Sequence, residues 1–189
     1  MMTRTLRLLF CFYLCALGGT AWSVPPTAAE ELISVDKALQ KIFRKASAFT
    51  PHTVTLSAEQ ISRLEEKADI TFAGAHLETV TFYTAQENGQ TVGYAFEDTV
   101  LGKWGPIHYL AGLNTDGQVK EVVILAYDEI RGRPVAKPRF LRQYKGKGLP
   151  APVKLQRDID GISGATISSR SLTDGIRKIL YIFDDIKGE

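Results

Sequence analysis

A segment near the C-terminus combines residue types that suit the binding of an anion. It reads Asp160-Gly161-Ile162-Ser163-Gly164-Ala165-Thr166-Ile167-Ser168-Ser169 and runs directly into a helical pattern. The first turn of a helix presents N–H groups with no partner inside the helix, together with the positive end of the helix dipole. Gly161 and Gly164 let the backbone approach a ligand closely. A phosphate therefore fits this junction, and the Thr166 hydroxyl could bond it or become esterified to it.

The residues that follow predict an amphipathic helix beginning near Ser169. Ser171 and Asp174 fit a capping box close to its start. Apolar residues recur at helical spacing and share one face; they are Leu172, Ile176, Ile179, Leu180 and Phe183.

Two other interpretations of the junction stay open. A loop of Ser, Thr and Gly before a helix often serves only as a cap. The run from Gly161 to Ala165 also approaches the G-x-S-x-G pattern of a hydrolase, with Ser163 as the nucleophile. It lacks the last glycine, however, and no nearby histidine completes a triad, so a catalytic residue is not predicted.

The same segment resembles the flavinylation motif of the FMN-binding domain family, in which Asp, two variable residues, Ser or Thr, and then Gly-Ala-Thr precede a helix. The family includes the C subunit of the sodium-pumping NADH:quinone oxidoreductase and the G subunit of the Rnf complex. The matching positions here are Asp160, Ser163, Gly164, Ala165 and Thr166. The resemblance implies that Thr166 carries FMN through a phosphoester, with Gly161 and Ser168 also in the cofactor-binding segment.

The resemblance extends over roughly residues 56–183. It includes Gly93-Tyr94-Ala95-Phe96, Gly102-Lys103-Trp104-Gly105-Pro106-Ile107 and the segment from Tyr127 to Gly132. Respiratory subunits of the family have His-x-Glu-Thr-Pro-Gly in this last segment, and only Glu129 and Gly132 match it. The resemblance further implies a flavin transferase that uses FAD and magnesium, and redox partners that are membrane-bound or exported.

An isoalloxazine ring needs a flat apolar wall, hydrogen-bond donors and fixed charge. Trp104 and Tyr109 are predicted to form the wall, and Glu129 to bond a ring nitrogen or a ribityl hydroxyl. Positive charge would come from Lys103, Arg131 or Arg133. The alternative for each is an ordinary core aromatic residue or a solvated charge.

The first 23 residues predict an export signal. Arg4 and Arg7 precede an uncharged run from Leu8 to Leu17, which is too short to span a bilayer, and Ala21-Trp22-Ser23 ends it with a cleavage pattern. We therefore expect a periplasmic or other extracytoplasmic protein. Cleavage would release a diffusible protein, whereas an uncleaved segment would tether it to the inner membrane.

The composition after residue 23 excludes several classes of function. Both cysteines, Cys11 and Cys15, lie in the signal, which rules out cysteine-bound zinc and iron–sulfur clusters in the mature form. The three histidines lack metal-ligand spacing, and no metal site is predicted. Removing the signal takes two arginines from 23 basic residues and none of the 21 acids, so the mature chain is formally neutral. Neither nucleic acid nor an anionic membrane is therefore the expected main partner.

Residues 24–55 are expected to form a helical lead-in, with helical spacing from about Glu30 to Ala48, an end at Pro51 and a short strand from His52 to Leu56. Residues 56–189 would form the FMN-binding domain. In this domain Ser57 and Gln60 fit a capping box for a helix from Ala58 to about Lys67.

Two predicted hairpins follow, around Asn88-Gly89 and Thr115-Asp116-Gly117, each flanked by β-branched and aromatic residues. The fold class is therefore α+β: an antiparallel sheet of four or more strands, with helices from the N- and C-terminal regions packed on one face.

Three functions are compatible with these residues: an exported electron carrier with covalent FMN, a binding module without a cofactor, and a hydrolase using Ser163 or Thr166. The motif favours the first, as an electron-transfer flavoprotein or redox subunit rather than a stand-alone enzyme.

Overall fold

A six-stranded antiparallel sheet organises the part of the chain that the computed structural model describes, which is residues 30–72, 78–127 and 133–188. Its spatial order is β1-β6-β5-β4-β3-β2. In chain order the elements are β1 (Glu30–Glu31), α1 (Val35–Ile42), β2 (Ala48–Thr55), α2 (Ala58–Ala68), β3 (Thr79–Glu87), β4 (Gln90–Leu101), β5 (Pro106–Leu113), β6 (Val119–Tyr127), α3 (Pro138–Leu141) and α4 (Thr166–Gly188). Short 3₁₀ helices, Arg133–Ala136 and Arg142–Tyr144, flank α3. The α+β prediction is confirmed.

Both predicted hairpins are confirmed. Asn88 and Gly89 have φ angles of 53° and 77°, the left-handed geometry of a two-residue hairpin turn. In the second turn the Asn114 side chain accepts the N–H groups of Asp116 and Gln118 at 3.1 and 2.8 Å. These local turns make β3 to β6 a continuous meander.

Helices cover both faces of the sheet, so the prediction that they pack on one face is wrong. Helix α1 packs on one face, where Val123 and Leu125 join its buried side chains. Helices α2 and α4 pack on the other face, together with Val122 and Ile124. Successive strand residues point to opposite faces, so an uninterrupted apolar run in β6 requires cover on both sides.

The N-terminal region also differs from its prediction. A helix is present in the stretch from about Glu30 to Ala48, as expected, but it is only the short helix α1, with a two-residue strand before it and the start of β2 after it. Pro51 does not end this region, because it lies inside β2 and faces Tyr83 of β3. An edge strand tolerates the missing proline N–H, since only one side of the strand is paired. Residues 48–55 are therefore part of the sheet.

Helix α2 begins as predicted. The Ser57 Oγ accepts the Gln60 N–H at 3.2 Å, and the Gln60 Oε1 accepts the Ser57 N–H at 2.9 Å. Such a cap stabilises a helix by about 1 kcal/mol.

Helix α4 buries the predicted apolar face but begins at Thr166, three residues before the expected start. The Ser169 N–H already donates to the Ala165 C=O at 2.9 Å. Ser171 and Asp174 consequently lie inside the helix, and the capping box predicted for them is wrong. No helix in the described residues is both long and apolar enough to cross a bilayer.

The two ends of the sheet differ in what they carry. One end holds the β4–β5 turn (residues 102–105), Tyr127 and the first turn of α4, and we call it the motif end. The Lys103 N–H donates to Ser168 Oγ there at 3.4 Å. At the opposite end, called the hairpin end, Lys187 donates to the Thr115 C=O at 2.6 Å. Helix α4 thus spans the sheet from end to end.

Candidate functional site

Thr166 is an exposed residue and occupies the first position of α4. Asp160, Gly161, Ser163 and Gly164 are exposed too. Gly164 has a φ of 81°, and a Cβ added to it would meet nothing within 4 Å. A left-handed φ disfavours other residues, so this glycine serves the backbone path rather than a tight contact. The loop therefore offers an open approach to Thr166.

Two buried serines, Ser168 and Ser169, anchor the motif through hydrogen bonds on its inner side. The Ile162 N–H donates to the Ser169 Oγ at 3.3 Å, and the Ala165 N–H donates to the Ile162 C=O at 3.0 Å. Ala165 is buried. Ser168 is buried as well, and its Oγ accepts from the β4–β5 turn. Ser168 thus anchors the first turn of α4 rather than presenting its hydroxyl on the exposed side with Thr166.

Gln143 is a site residue that the sequence did not reveal. Its Oε1 accepts the Asp160 N–H at 2.8 Å, and its Nε2 donates to the Asp160 C=O at 3.1 Å. This pair fixes the backbone of the first motif residue while leaving its carboxylate exposed. No local sequence pattern could indicate it, because the partners are 17 positions apart and meet only when the 3₁₀ helix after α3 packs beside the loop.

A cleft of about 520 Å³ lies between α3 and the motif loop. Its volume is within the usual range for small-molecule sites. Two cations and two large apolar side chains contribute to its lining, which comprises Lys137, Arg139, Phe140, Gln143, Asp160, Gly161 and Ile162.

The loop that leads into the motif is built around Asp158. Its carboxylate accepts the N–H groups of Val153 and Lys154 at 3.2 and 2.7 Å and the Lys147 Nζ at 2.9 Å. Burial alone raises the pKa of Asp158, but these hydrogen bonds and the Lys147 charge outweigh it, so the pKa is lowered. Val153 is fully buried with a φ of 42°, an uncommon backbone for a β-branched residue. The Asp158 contacts hold this path in place.

The two predicted wall aromatics lie in different surroundings. Trp104 is 58% exposed on the β4–β5 turn, and the Lys103 Nζ lies 5.0 Å from its ring centroid. Tyr109 is completely buried, and its hydroxyl donates to Asp98 at 2.7 Å. Burial, with the Asp98 charge, raises the pKa of Tyr109 well above its usual value.

Tyr109 is therefore a core residue in this structure, which is the alternative that the sequence left open for it. The hydroxyl would be only 2.5 Å from a Cβ placed on Gly175, so the ring lies directly beneath α4. Alternation along β5 determines this, because Tyr109 shares the α4 face with Ile107 and Ala111.

Glu129 and Arg131 lie outside the described residues, as do the predicted export signal and both cysteines. The side chain of Arg133 is also outside the description. His52 and His108 are on strands, and their side chains form hydrogen bonds with those of Thr84 and Glu97 respectively.

Residues 102–181 match the family of FMN-binding domains. The matched region includes the β4–β5 turn, the cleft and the whole motif. The match confirms the resemblance drawn from the motif, and this part of the chain is similar to FMN-binding domains.

Similar proteins are components of larger complexes. The chain is 31% identical over 134 residues to the G subunit of the ion-translocating oxidoreductase complex of Cereibacter sphaeroides, covering 65% of this chain and 61% of that protein. It is 28% identical over 104 residues to the G subunit of the proton-translocating ferredoxin:NAD(+) oxidoreductase complex of Clostridium ljungdahlii, covering 51% and 56% respectively. The chain thus spans about three fifths of the length of these relatives.

A solved structure is also similar, that of the C subunit of the Na(+)-translocating NADH-quinone reductase from Parabacteroides distasonis. The match has 19% identity and a TM-score of 0.48, and it covers 78% of this chain and 84% of the other.

The residues of the site fit FMN. The exposed Thr166 hydroxyl stands at a helix N-terminus, where a phosphate is favoured. A Cβ added to Gly164 would meet nothing within 4 Å, so the backbone beside Thr166 is open to a phosphate. The neighbouring cleft is large enough to receive a flat ring and offers both apolar and cationic side chains.

Proposed function

We propose that this protein is an exported flavoprotein that carries FMN through a phosphoester to Thr166 and relays electrons between membrane redox proteins and an extracytoplasmic acceptor. The observation that carries the proposal is the exposed Thr166 at the start of α4, within the Asp160 to Thr166 motif of an FMN-binding domain. Bound FMN supplies the redox chemistry, and the chain supplies attachment, orientation and charge.

The N-terminus of α4 would favour the phosphate but would not retain it alone. A helix dipole stabilises a nearby anion by about 0.3 to 1 kcal/mol. This corresponds to less than a tenfold change in affinity, which supports a covalent attachment for a site that must keep its cofactor.

We assign the isoalloxazine ring to the cleft between α3 and the motif loop. Phe140 and Ile162 offer apolar contact, while Lys137 and Arg139 place positive charge where a reduced flavin carries negative charge. Glu129 stays a predicted contact from the loop after β6. Trp104 is not among the residues that line this cleft, and its contact with the ring stays a prediction.

The names of the relatives support redox partners in a membrane complex, and the predicted export signal supports a periplasmic or other extracytoplasmic site. Attachment would require a flavin transferase using FAD and magnesium. The exposure of Asp160, Ser163 and Gly164 supports their recognition by such an enzyme, because it must reach the motif on the folded domain.

Intact mass spectrometry of protein co-produced with a flavin transferase tests the proposal. We expect one added FMN, with yellow colour that survives denaturation. Thr166→Ala should lose both while remaining folded, because its methyl group cannot form the ester. Ser171→Ala is the matched control, since it removes a hydroxyl from the same helix outside the motif. A Thr166→Ala protein that still carried FMN after denaturation would refute the attachment site. An unmodified wild-type protein would favour the cofactor-free binding module.

A further inference from the structure

We propose that a basic cleft at the hairpin end is a docking site for an acidic protein partner. The cleft has a volume of about 450 Å³ and lies between the end of α1, the start of β6 and the segment after the 3₁₀ helix Arg142–Tyr144. The inference does not depend on flavin attachment, because the cleft is at the opposite end of the sheet from Thr166. Its charged lining residues are Lys41, Arg44, Lys45, Glu87, Lys120, Glu121 and Lys145.

The cleft concentrates positive charge in a chain whose charges otherwise balance. Five basic and two acidic side chains line it, which is a net of three positive charges. The chain after residue 23 is formally neutral, so its other residues carry a net of three negative charges. Lys41 pairs with Glu121 at 3.2 Å. Among the described residues, no side-chain partner contacts the charged groups of Arg44, Lys45 and Lys145. These three charges are therefore available to a ligand.

Backbone hydrogen bonds hold the segments that carry the charges. Directly after α1, the Ala46 N–H donates to the Phe43 C=O at 3.0 Å. The Gly146 N–H donates to the Val119 C=O at 2.7 Å, which holds the preceding lysine next to the start of β6. The Lys120 Nζ lies 5.1 Å from the centroid of the buried Phe43 ring. The cleft is thus a preformed surface with long, exposed cationic side chains around it.

The end of α1 disfavours a small anion bound deep in the cleft. Ile42 is the last residue of this helix and Phe43 is its C-cap, and both line the cleft. A helix C-terminus carries the negative end of the dipole, which repels anions and attracts cations. The exposed Arg44 guanidinium can instead reach a carboxylate on a facing surface and bind it through two parallel hydrogen bonds. This arrangement favours the carboxylates of a protein surface over a free phosphate.

The lining also favours a protein over a membrane. Basic surfaces that bind bilayers combine their cations with apolar side chains that enter the interface. Glu87 and Glu121 lie among the cations, and a mixed pattern of this kind fixes the orientation of a protein with complementary charges. None of the exposed large apolar side chains of the described residues lines the cleft; they are Leu32, Leu101, Trp104 and Ile167.

Docking at this end would leave the attachment point uncovered. Helix α4 has 23 residues, and at 1.5 Å per residue its two ends are roughly 33 Å apart. Thr166 is at one end of this helix, and the hairpin end is at the other. The contact would therefore hold the domain in a complex while Thr166 stays accessible.

Binding of a fluorescein-labelled peptide of alternating Glu and Ala tests the docking site. Fluorescence anisotropy reports its binding to the full chain at low ionic strength. Arg44→Gln with Lys145→Gln should weaken binding by about fivefold, because two exposed ion pairs are lost. Lys67→Gln with Arg157→Gln is the matched control, since it removes one lysine and one arginine that are exposed and do not line the cleft. The control should weaken binding by less than about twofold.

Reversing the charges makes the test specific. Arg44→Glu with Lys145→Glu should lose the acidic peptide and bind a peptide of alternating Lys and Ala more tightly than the wild type does. The same reversal at Lys67 and Arg157 controls for net charge and should not produce this exchange. Circular dichroism verifies that each variant is folded.

Equal weakening in the cleft variant and its control would overturn the proposal, because binding would then follow net charge alone. The absence of peptide binding at low ionic strength would overturn it as well. Cosedimentation with vesicles of phosphatidylcholine and phosphatidylglycerol tests the other occupant. Vesicle binding that the cleft variant loses and the control keeps, without peptide binding, would assign the surface to a membrane. All variants retain Thr166, so a failure here is distinct from a failure of covalent attachment, which intact mass reports separately.

Discussion

Replacing Lys178 with methionine tests the ion pair that holds α4 on the sheet. The Lys178 Nζ lies 2.8 Å from Asp98 Oδ2 and 2.9 Å from Oδ1, and the Tyr109 hydroxyl donates to the same carboxylate at 2.7 Å. The Lys178 side chain is 10% exposed and that of Asp98 is 19% exposed. Methionine keeps the apolar stem and removes the charge, so Asp98 keeps its bond to Tyr109 but loses its cation.

The expected loss follows from this burial. Removing one partner of a buried ion pair costs about 3–5 kcal/mol, because the other charge is left uncompensated. Asp98 stays partly exposed to solvent and keeps its hydrogen bond from Tyr109. We therefore expect a loss at the lower end of this range, a decrease of about 3 kcal/mol in the free energy of unfolding. Lys187→Met is the matched control. Lys187 is on the same helix but is exposed, and its loss should cost less than about 1 kcal/mol.

Urea denaturation measures both variants. Lys178→Met should lower the midpoint with an unchanged m-value, since the folded and unfolded surfaces stay the same. Adding Asp98→Asn to Lys178→Met removes the stranded charge and should recover part of the loss. A Lys178→Met protein no less stable than Lys187→Met would refute the reasoning that this pair secures α4.

Three further outcomes are expected. Gln143→Ala should slow flavin attachment with little change in thermal stability, because it releases only the exposed backbone of Asp160; an unchanged attachment rate by intact mass would contradict this. Asp158→Asn should destabilise the folded protein by about 2 kcal/mol through weakened hydrogen bonds to a charged group. Since the folded pKa of Asp158 is lowered, its stabilisation is fully present above the unfolded value near 3.8 and is lost as pH falls through the folded value. Unfolding curves of wild type and Asp158→Asn should therefore converge in acid, and a constant difference would count against the assignment. Gly175→Ala gains about 1 kcal/mol of helix propensity but places a Cβ 2.5 Å from the Tyr109 hydroxyl. Overpacking of about 1–3 kcal/mol should outweigh that gain and lower the melting temperature, whereas a higher melting temperature would show that the helix shifts freely.

Local patterns in the sequence were sufficient for several elements. The Ser57 and Gln60 capping box, the Asn88-Gly89 turn and the apolar face of α4 are all present as predicted. Each depends on residues within a few positions of one another, so periodicity and turn chemistry contain the necessary information. The small residues of the Asp160 to Thr166 motif do lie directly before a helix, and anion binding there stays a prediction.

The sequence did not determine which side chains are buried by residues that are distant in sequence. Tyr109 and Trp104 looked equivalent as aromatics, yet one lies beneath α4 and the other is exposed on a turn. Pro51 was predicted to end the N-terminal helical region, because the local sequence does not show that β2 is an edge strand that tolerates a proline.

Tertiary packing decided the architecture around the motif. Contacts between segments distant in sequence place α1 on the second face of the sheet. Such contacts also place the Gln143 side chain against the Asp160 backbone. Such contacts form only when one packed arrangement buries the apolar faces of all the elements together, and no short stretch of residues encodes that choice. The motif therefore specifies what chemistry Thr166 can support, while the fold specifies which surfaces surround it.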